Sequence, residues 1–165
     1  MNERLVVIQE HDAKRAGLHW DLRVQVEGDL DDYRSMRSDT NEPDDNERYV
    51  LRSWAIPKHR FPNANEKLLA IKTEDHPWSY KDFEGTITGG YGAGEVKLLF
   101  CKPVIVRKIL FNKFTFTMPK WEDGKDVTFN LFPMGEGQKW LIQQVDGLKY
   151  VLADRLARKR AKEQT

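Results

Sequence analysis

Cysteine is almost missing from this chain of 165 residues: Cys101 stands alone. It cannot form an internal disulfide, so nothing in the sequence calls for an oxidising compartment. Long apolar runs are missing too. None approaches the ~20 residues needed to cross a bilayer. The opening MNERLVVIQEH has too short an apolar stretch for a signal peptide, and no small-residue cleavage site follows it. A cytoplasmic location without a membrane partner is the expectation. Excess charge is scarce as well. Lys and Arg number 27 against 26 Asp and Glu, a formal net charge of +1, whereas non-specific nucleic-acid binders often carry a strong positive excess. Either the chain does not touch nucleic acid, or it does so through a local patch. Arg155, Arg158, Lys159, Arg160 and Lys162 crowd into the last stretch, offset there by Asp154 and Glu163.

What is present suits one domain with a real core, since 39% of the residues are apolar. Leu5 to Ile8 reads as a strand. In LHWDLRVQVE, Leu18, Trp20, Leu22, Val24 and Val26 alternate with His19, Asp21, Arg23, Gln25 and Glu27. A period of two marks a strand with one apolar and one polar face. Further strands are expected at 50–56, 68–73, 96–100, 104–110, 114–118, 127–132 and 140–145, separated by turn residues. Many short strands with little helix predict an all-β fold, an antiparallel barrel or sandwich; the family resemblance given below selects the compact antiparallel β-barrel, with short peripheral helices. Residues 1–150 form the expected barrel domain, with a polar excursion at 29–48. Residues 151–165 are a basic C-terminal helix or tail, and Val151, Leu152 and Leu156 give it an apolar side for docking onto the barrel.

Side chains two apart on a strand point the same way, so His19, Asp21 and Arg23 share a face. His19 and Asp21 can lean toward a common ion, and His11 can return beside His19 through the intervening turn. Two imidazoles and a carboxylate suit manganese, zinc, cobalt or iron better than magnesium. The plain alternative is a solvent face of a strand. His76 is held in extended backbone by Pro77 and can donate to a phosphoryl oxygen; the plain alternative is a histidine satisfied by Glu74 or Asp75. Lys58 and Tyr80 are ordinary when taken singly. GGYGAGE lacks the Lys-Ser or Lys-Thr of a nucleotide-binding P-loop, so its glycines read as turn formers, with Tyr91 offering a surface on which a base can stack.

Together, VIQEHDAKRAGLHWDLRVQVEG, LRSWAIPKH, LLAIKTEDHPWSYKDFEGTITGGYGAGEV and, more loosely, KWLIQQVDG resemble the 3′-phosphoesterase domain of bacterial DNA ligase D and related free-standing proteins. The resemblance covers about half of the chain. It implies a β-barrel with a concave cleft that removes a terminal ribonucleoside from a DNA or RNA 3′ end, then the remaining 3′-phosphate, leaving a 3′-hydroxyl. It implies Mn2+ as activator, with Zn2+ or Co2+ as alternatives, and His11, His19 and Asp21 as metal ligands. It makes Arg23 and Lys58 phosphate contacts, and His76 and Tyr80 the pair around the transferring phosphoryl group. Primer–template DNA or RNA-tipped DNA is the implied partner, with a ligase or polymerase to use the product. Three departures stand out. The family's arginine eight residues before the EDHP histidine is Leu68 here, with Lys67 beside it. The 29–48 excursion enlarges a turn. Only MNER stands before Leu5, so contributions from the family's arm ahead of the first strand are not expected. Two other readings are an impaired barrel that binds DNA ends or a repair partner through Arg155 to Lys162, and a phosphoesterase for small nucleotides.

Overall fold

The structure, a computed structural model, describes residues 2–28, 48–110 and 112–164. The expected excursion at 29–48 lies outside them apart from Arg48. Strands β1 (Asn2–Ala13) and β2 (Gly17–Glu27) form a hairpin, and β2 pairs with β3 (Tyr49–Ile56). The ring continues through β4 (Lys67–Lys72), β10 (Lys139–Val145), β9 (Lys125–Pro133), β8 (Lys113–Glu122) and β7 (Gly94–Leu110). Pairing of β7 with β1 closes it, giving the expected antiparallel barrel, with eight strands. Two short strands lie off this ring: β5 (His76–Pro77) pairs with β3, and β6 (Gly85–Ile87) with β7. A 3-10 turn, Trp78–Asp82, lies between them.

Strand β1 is longer than expected and β5 and β6 are additional, and one pair of expected strands is merged. The strands expected at 96–100 and 104–110 are a single strand, β7, with Pro103 inside it. Its pairing with β6 ends at Val96, and its pairing with β8 begins at Ile105. Pro103 therefore sits where β7 has only β1 as a neighbour, the edge-like setting in which a missing N–H is tolerated.

Alternation assigns the two faces. Val6 and Ile8 on β1, Leu22, Val24 and Val26 on β2, and Trp54 and Ile56 on β3 join Phe114, Phe116, Phe129 and Ile142 in one buried core. Each such side chain contributes roughly 1.5–3 kcal/mol by leaving water. The odd-numbered residues of β1, β2 and β3 face away from that core, yet Val7, Gln9, Leu51 and Ser53 are fully buried. The reason is a strap, residues 74–93, laid across the outward face. Gln9 Nε2 donates to the carbonyls of Tyr80 and Phe83 on this strap at 3.1 and 3.0 Å.

The helix α1 (Leu148–Glu163) lies outside the barrel wall. Arg107 holds it with a bidentate pair to Asp154 at 2.8 and 2.9 Å. Leu148, Leu152 and Leu156 are exposed, so the expected apolar docking of Leu152 and Leu156 gives way to a polar tie. No helix among the described residues is long and apolar enough to cross a membrane.

Candidate metal centre and cleft

His11 and His19 are paired across the β1–β2 hairpin, and Asp21 follows two residues along β2. Their rings lie 4.9 Å apart between centroids. His11 Nδ1 is 3.3 Å from Asp21 Oδ2, and His19 Nε2 is 3.2 Å from Asp21 Oδ1. One ligand atom from each of the three lies within 4.8 Å of the others. All three residues are at most 8% exposed, so the polar strip is an interior site and the solvent-face reading fails.

The outer ring nitrogens explain what the inner ones can do. His11 Nε2 meets the Gly92 carbonyl at 2.8 Å, and His19 Nδ1 meets the Gly17 carbonyl at 3.0 Å. A carbonyl oxygen only accepts, so each outer nitrogen carries the proton. In the neutral rings the inner nitrogens then aim lone pairs toward a carboxylate that also has only lone pairs. A cation in the gap, or protons on the rings, resolves that opposition. Backbone carbonyls that fix the histidine tautomer are the usual support of a metal-ligating imidazole. Contacts of 3.2–3.3 Å are close to the ~3.4 Å separating two ligand atoms around an ion with bonds of ~2.1 Å. The donor set therefore fits a divalent metal.

The electrostatics agree. Burial pushes the Asp21 pKa up, but hydrogen bonds from His11 and His19 and the charge of Arg23 outweigh it, and the carboxyl stays well below the ordinary range. Burial also works against a charged His19, and Asp21 outweighs it, so its pKa is raised.

Arg23 forms the next level of the cleft and is 4% exposed. Its Nε donates to Gln9 Oε1 at 2.7 Å, and its Nη1 to Ser53 Oγ at 2.9 Å. Nη1 also lies 3.1 Å from His76 Nδ1, and Nη2 lies 3.5 Å from Asp21 Oδ2. Only the Nη2 edge keeps free donor capacity. Burial lowers the Arg23 pKa, and Asp21 opposes that. His76 stands on β5 opposite Leu51. Burial, then the nearby Arg23 charge, lowers its pKa, which keeps the ring neutral. A guanidinium only donates, so Nδ1 accepts from Arg23 and the ring proton sits on Nε2; the Glu74 carbonyl, 3.0 Å from Nδ1, competes for the opposite tautomer. Tyr80 packs 5.1 Å from the His76 ring and stacks on Phe83, with Arg23 5.0 Å from its centroid. Burial raises its pKa, so the phenol keeps its proton.

His11, His19, Asp21, Arg23, His76 and Tyr80 line a cleft of about 660 Å³, walled further by Ala55, Pro57, Ile71 and Thr73. Lys58 is exposed and is not part of the lining. Leu68 is 6% exposed and belongs to the barrel core. Lys67, on the outward face of β4, is exposed and also stands outside the lining. Sequence reasoning missed Gln9, Ser53 and the Gly92 carbonyl. For Gln9 a signal existed: it lies two residues before His11, on the same strand face.

Residues 46–100 match the family model described as DNA Ligase D 3'-phosphoesterase domain. Over that segment, a third of the chain, this protein is similar to that domain family. The matched segment carries Lys58, His76, Tyr80 and Tyr91, whereas His11, His19, Asp21 and Arg23 lie ahead of it. Similar proteins include the Multifunctional non-homologous end joining protein LigD of Pseudomonas aeruginosa, 39% identical over 90 residues, which are 54% of this chain and 8% of the relative. The Multifunctional non-homologous end joining DNA repair protein LigD of Mycobacterium tuberculosis is 42% identical over 91 residues, 54% of this chain and 9% of the relative. The LigD of Mycolicibacterium smegmatis is 38% identical over 96 residues, 58% of this chain and 10% of the relative. The chain thus matches at most about a tenth of the length of these ligase D relatives.

Proposed function

We propose that this chain is a divalent-metal-dependent phosphoesterase that trims the 3′ ends of DNA or RNA to leave a 3′-hydroxyl. One observation carries the reading. Two imidazoles with carbonyl-fixed outer protons aim their free nitrogens at one buried carboxylate, and a buried guanidinium and a neutral histidine follow on the same face. His11, His19 and Asp21 would hold the ion, for which manganese suits the donors, with zinc or cobalt as alternatives. Bound there, it supplies Lewis-acid stabilisation of a phosphoryl oxygen. Arg23 offers its Nη2 edge to the same phosphate. That is a single prong, because Gln9, Ser53 and His76 occupy its other nitrogens. His76, neutral and with its proton on Nε2, donates to the oxygen that gains charge. Tyr80 packs against the imidazole and keeps it upright. Lys58 enters only if the substrate extends past Pro57 to the exposed rim.

The test uses a primer tipped with one 3′-ribonucleotide, with manganese, scoring nucleoside and phosphate release. His19→Ala and Asp21→Ala should each lower activity by more than ~10²-fold while the circular dichroism of the barrel is kept. Full activity in Asp21→Ala overturns the ligand assignment. Because neither Leu68 nor Lys67 lines the cleft, the 3′-phosphate product should accumulate before the 3′-hydroxyl; immediate conversion would contradict that. Partners of the whole protein would be primer–template ends and a ligase or polymerase that uses the hydroxyl. Two other readings are separable by the same reagents. Free nucleoside phosphates outcompeting primer ends would make it a small-nucleotide enzyme. Duplex-end binding without divalent-ion binding would make it a docking module.

A further inference from the structure

The cleft is graded along the hairpin. Ala13 pairs with Gly17 and with Gly94, and Gly94 pairs with Ile87, so these residues form one level. His11 and His19 form the next, two residues or ~7 Å along the strands. Arg23 follows four residues beyond His19. Charge and chemistry therefore occupy one end, and the level of Ala13 and Ile87 is apolar; Ala16 and Tyr91 also line the cleft, Tyr91 next to the Gly92 that His11 holds.

Tyr91 is unusual there. It is 69% exposed, the highest value among the exposed large hydrophobic side chains of the described residues. Its ring makes none of the aromatic or cation contacts found between the other rings of the described residues. Yet its backbone is tied down. The neighbouring Gly92 carbonyl accepts from His11 Nε2 at 2.8 Å, Ala93 N donates to Gly90 O at 3.3 Å, and Lys14 N donates to Ala93 O at 2.9 Å. At Gly94, which has a φ of 150°, a Cβ would collide with the Asp12 carbonyl, so the strap end lies hard against β1. A free aromatic face is thus held at a fixed offset from the histidine ligand. Exposed Lys14 and Arg15 stand at the same lip, a setting that favours a polyanion.

We propose that this apolar end binds the nucleobase adjacent to the scissile phosphate, with the Tyr91 ring as its stacking surface; the proposal rests on the phosphoesterase reading for the position of that phosphate. The apolar level begins ~7 Å along the strands from the histidines, about the span that a sugar puts between a phosphate and its base. Stacking on an aromatic ring tolerates any base, so the subsite selects for a nucleobase and not for a sequence.

The test compares wild type, Tyr91→Ala and Tyr91→Phe on ribonucleotide-tipped primers with manganese. Three primers are used: intact, abasic at the terminal position, and abasic at the penultimate position. On the intact primer, Tyr91→Ala should lose roughly 5- to 100-fold in kcat/KM, chiefly through KM, and Tyr91→Phe should restore it. On one abasic primer, wild type should fall to the level of Tyr91→Ala, and that primer tells which base occupies the subsite. Equal kcat/KM of wild type and Tyr91→Ala on the intact primer overturns the proposal. So does a Tyr91→Ala loss that persists undiminished on both abasic primers. Equilibrium binding of the same primers, read by fluorescence anisotropy, separates the two claims. A Tyr91-dependent, base-dependent affinity without turnover keeps the subsite and removes the phosphoesterase reading; identical affinities of wild type and Tyr91→Ala for all three primers, without turnover, overturn the subsite as well.

Discussion

Gln9 holds three things at once. Its Oε1 accepts a hydrogen bond from Arg23 Nε, and its Nε2 donates to two strap carbonyls. Gln9→Leu removes all of these and leaves a buried guanidinium N–H without an acceptor. The expected cost is about 1–3 kcal/mol, read from urea denaturation, and up to ~10²-fold in activity through misplacement of Arg23. A variant as stable and as active as wild type would show that Arg23 needs no such support. The histidines make a second residue-level prediction, through protons. The His19 pKa is raised above its ordinary 6.5 in the metal-free protein. Its attraction to Asp21 therefore stabilises the fold fully below about pH 6.5 and is lost as pH rises through the raised value. A metal needs the same nitrogen unprotonated, so the ion competes with that proton. The rise in Tm on adding manganese should grow between about pH 6 and about pH 8; a rise independent of pH would place the ion elsewhere. At this scale the sequence was partly legible. His19, Asp21 and Arg23 were on one face by alternation alone. Ser53 and the Gly92 carbonyl were not legible, because their roles come from segments brought together only by the barrel and its strap.

Among the elements, the strap converts an outward strand face into an interior site. Local propensity gave no hint of it: His76–Pro77 is a two-residue strand, and the adjoining 3-10 turn buries none of its own residues. Its placement depends on Gln9, Arg23 and Leu51, all distant in sequence. The opposite holds for β2, whose ten-residue alternation specified its two faces before any partner was known. Helix α1 is a third case. Its existence was legible from composition, its attachment was not, since the tie of Arg107 to Asp154 is charged where an apolar contact was expected. Arg107 donates to Asp154 from a nearly buried position and also to Thr117 at 2.9 Å. Asp154→Ala should expose α1 to proteases at its Lys and Arg residues and cost about 1–3 kcal/mol through loss of the two charge-assisted bonds from Arg107. Unchanged protease resistance would mean that other contacts secure the helix.

For the molecule as a whole, ring closure comes from β1 and β7, which pair from Asn2 with Val106 to Ala13 with Gly94. The count of short strands left barrel and sandwich open, and did not say which two strands would close a ring, because closure joins one strand near the beginning to another past the middle. Gly94 lies at the end of that seam, where no side chain has room. Gly94→Val should open the seam beside the cleft, lowering both Tm and manganese affinity; retained affinity at reduced Tm would separate closure from the site. The two faces of β2 have a further consequence. Even positions build the barrel and odd positions build the chemistry, so a slip of one residue would send ligands into the core and leucines into the cleft. No partly misaligned hairpin can be both folded and active, and turnover per folded molecule becomes a direct gauge of whether the chain has found its correct pairing.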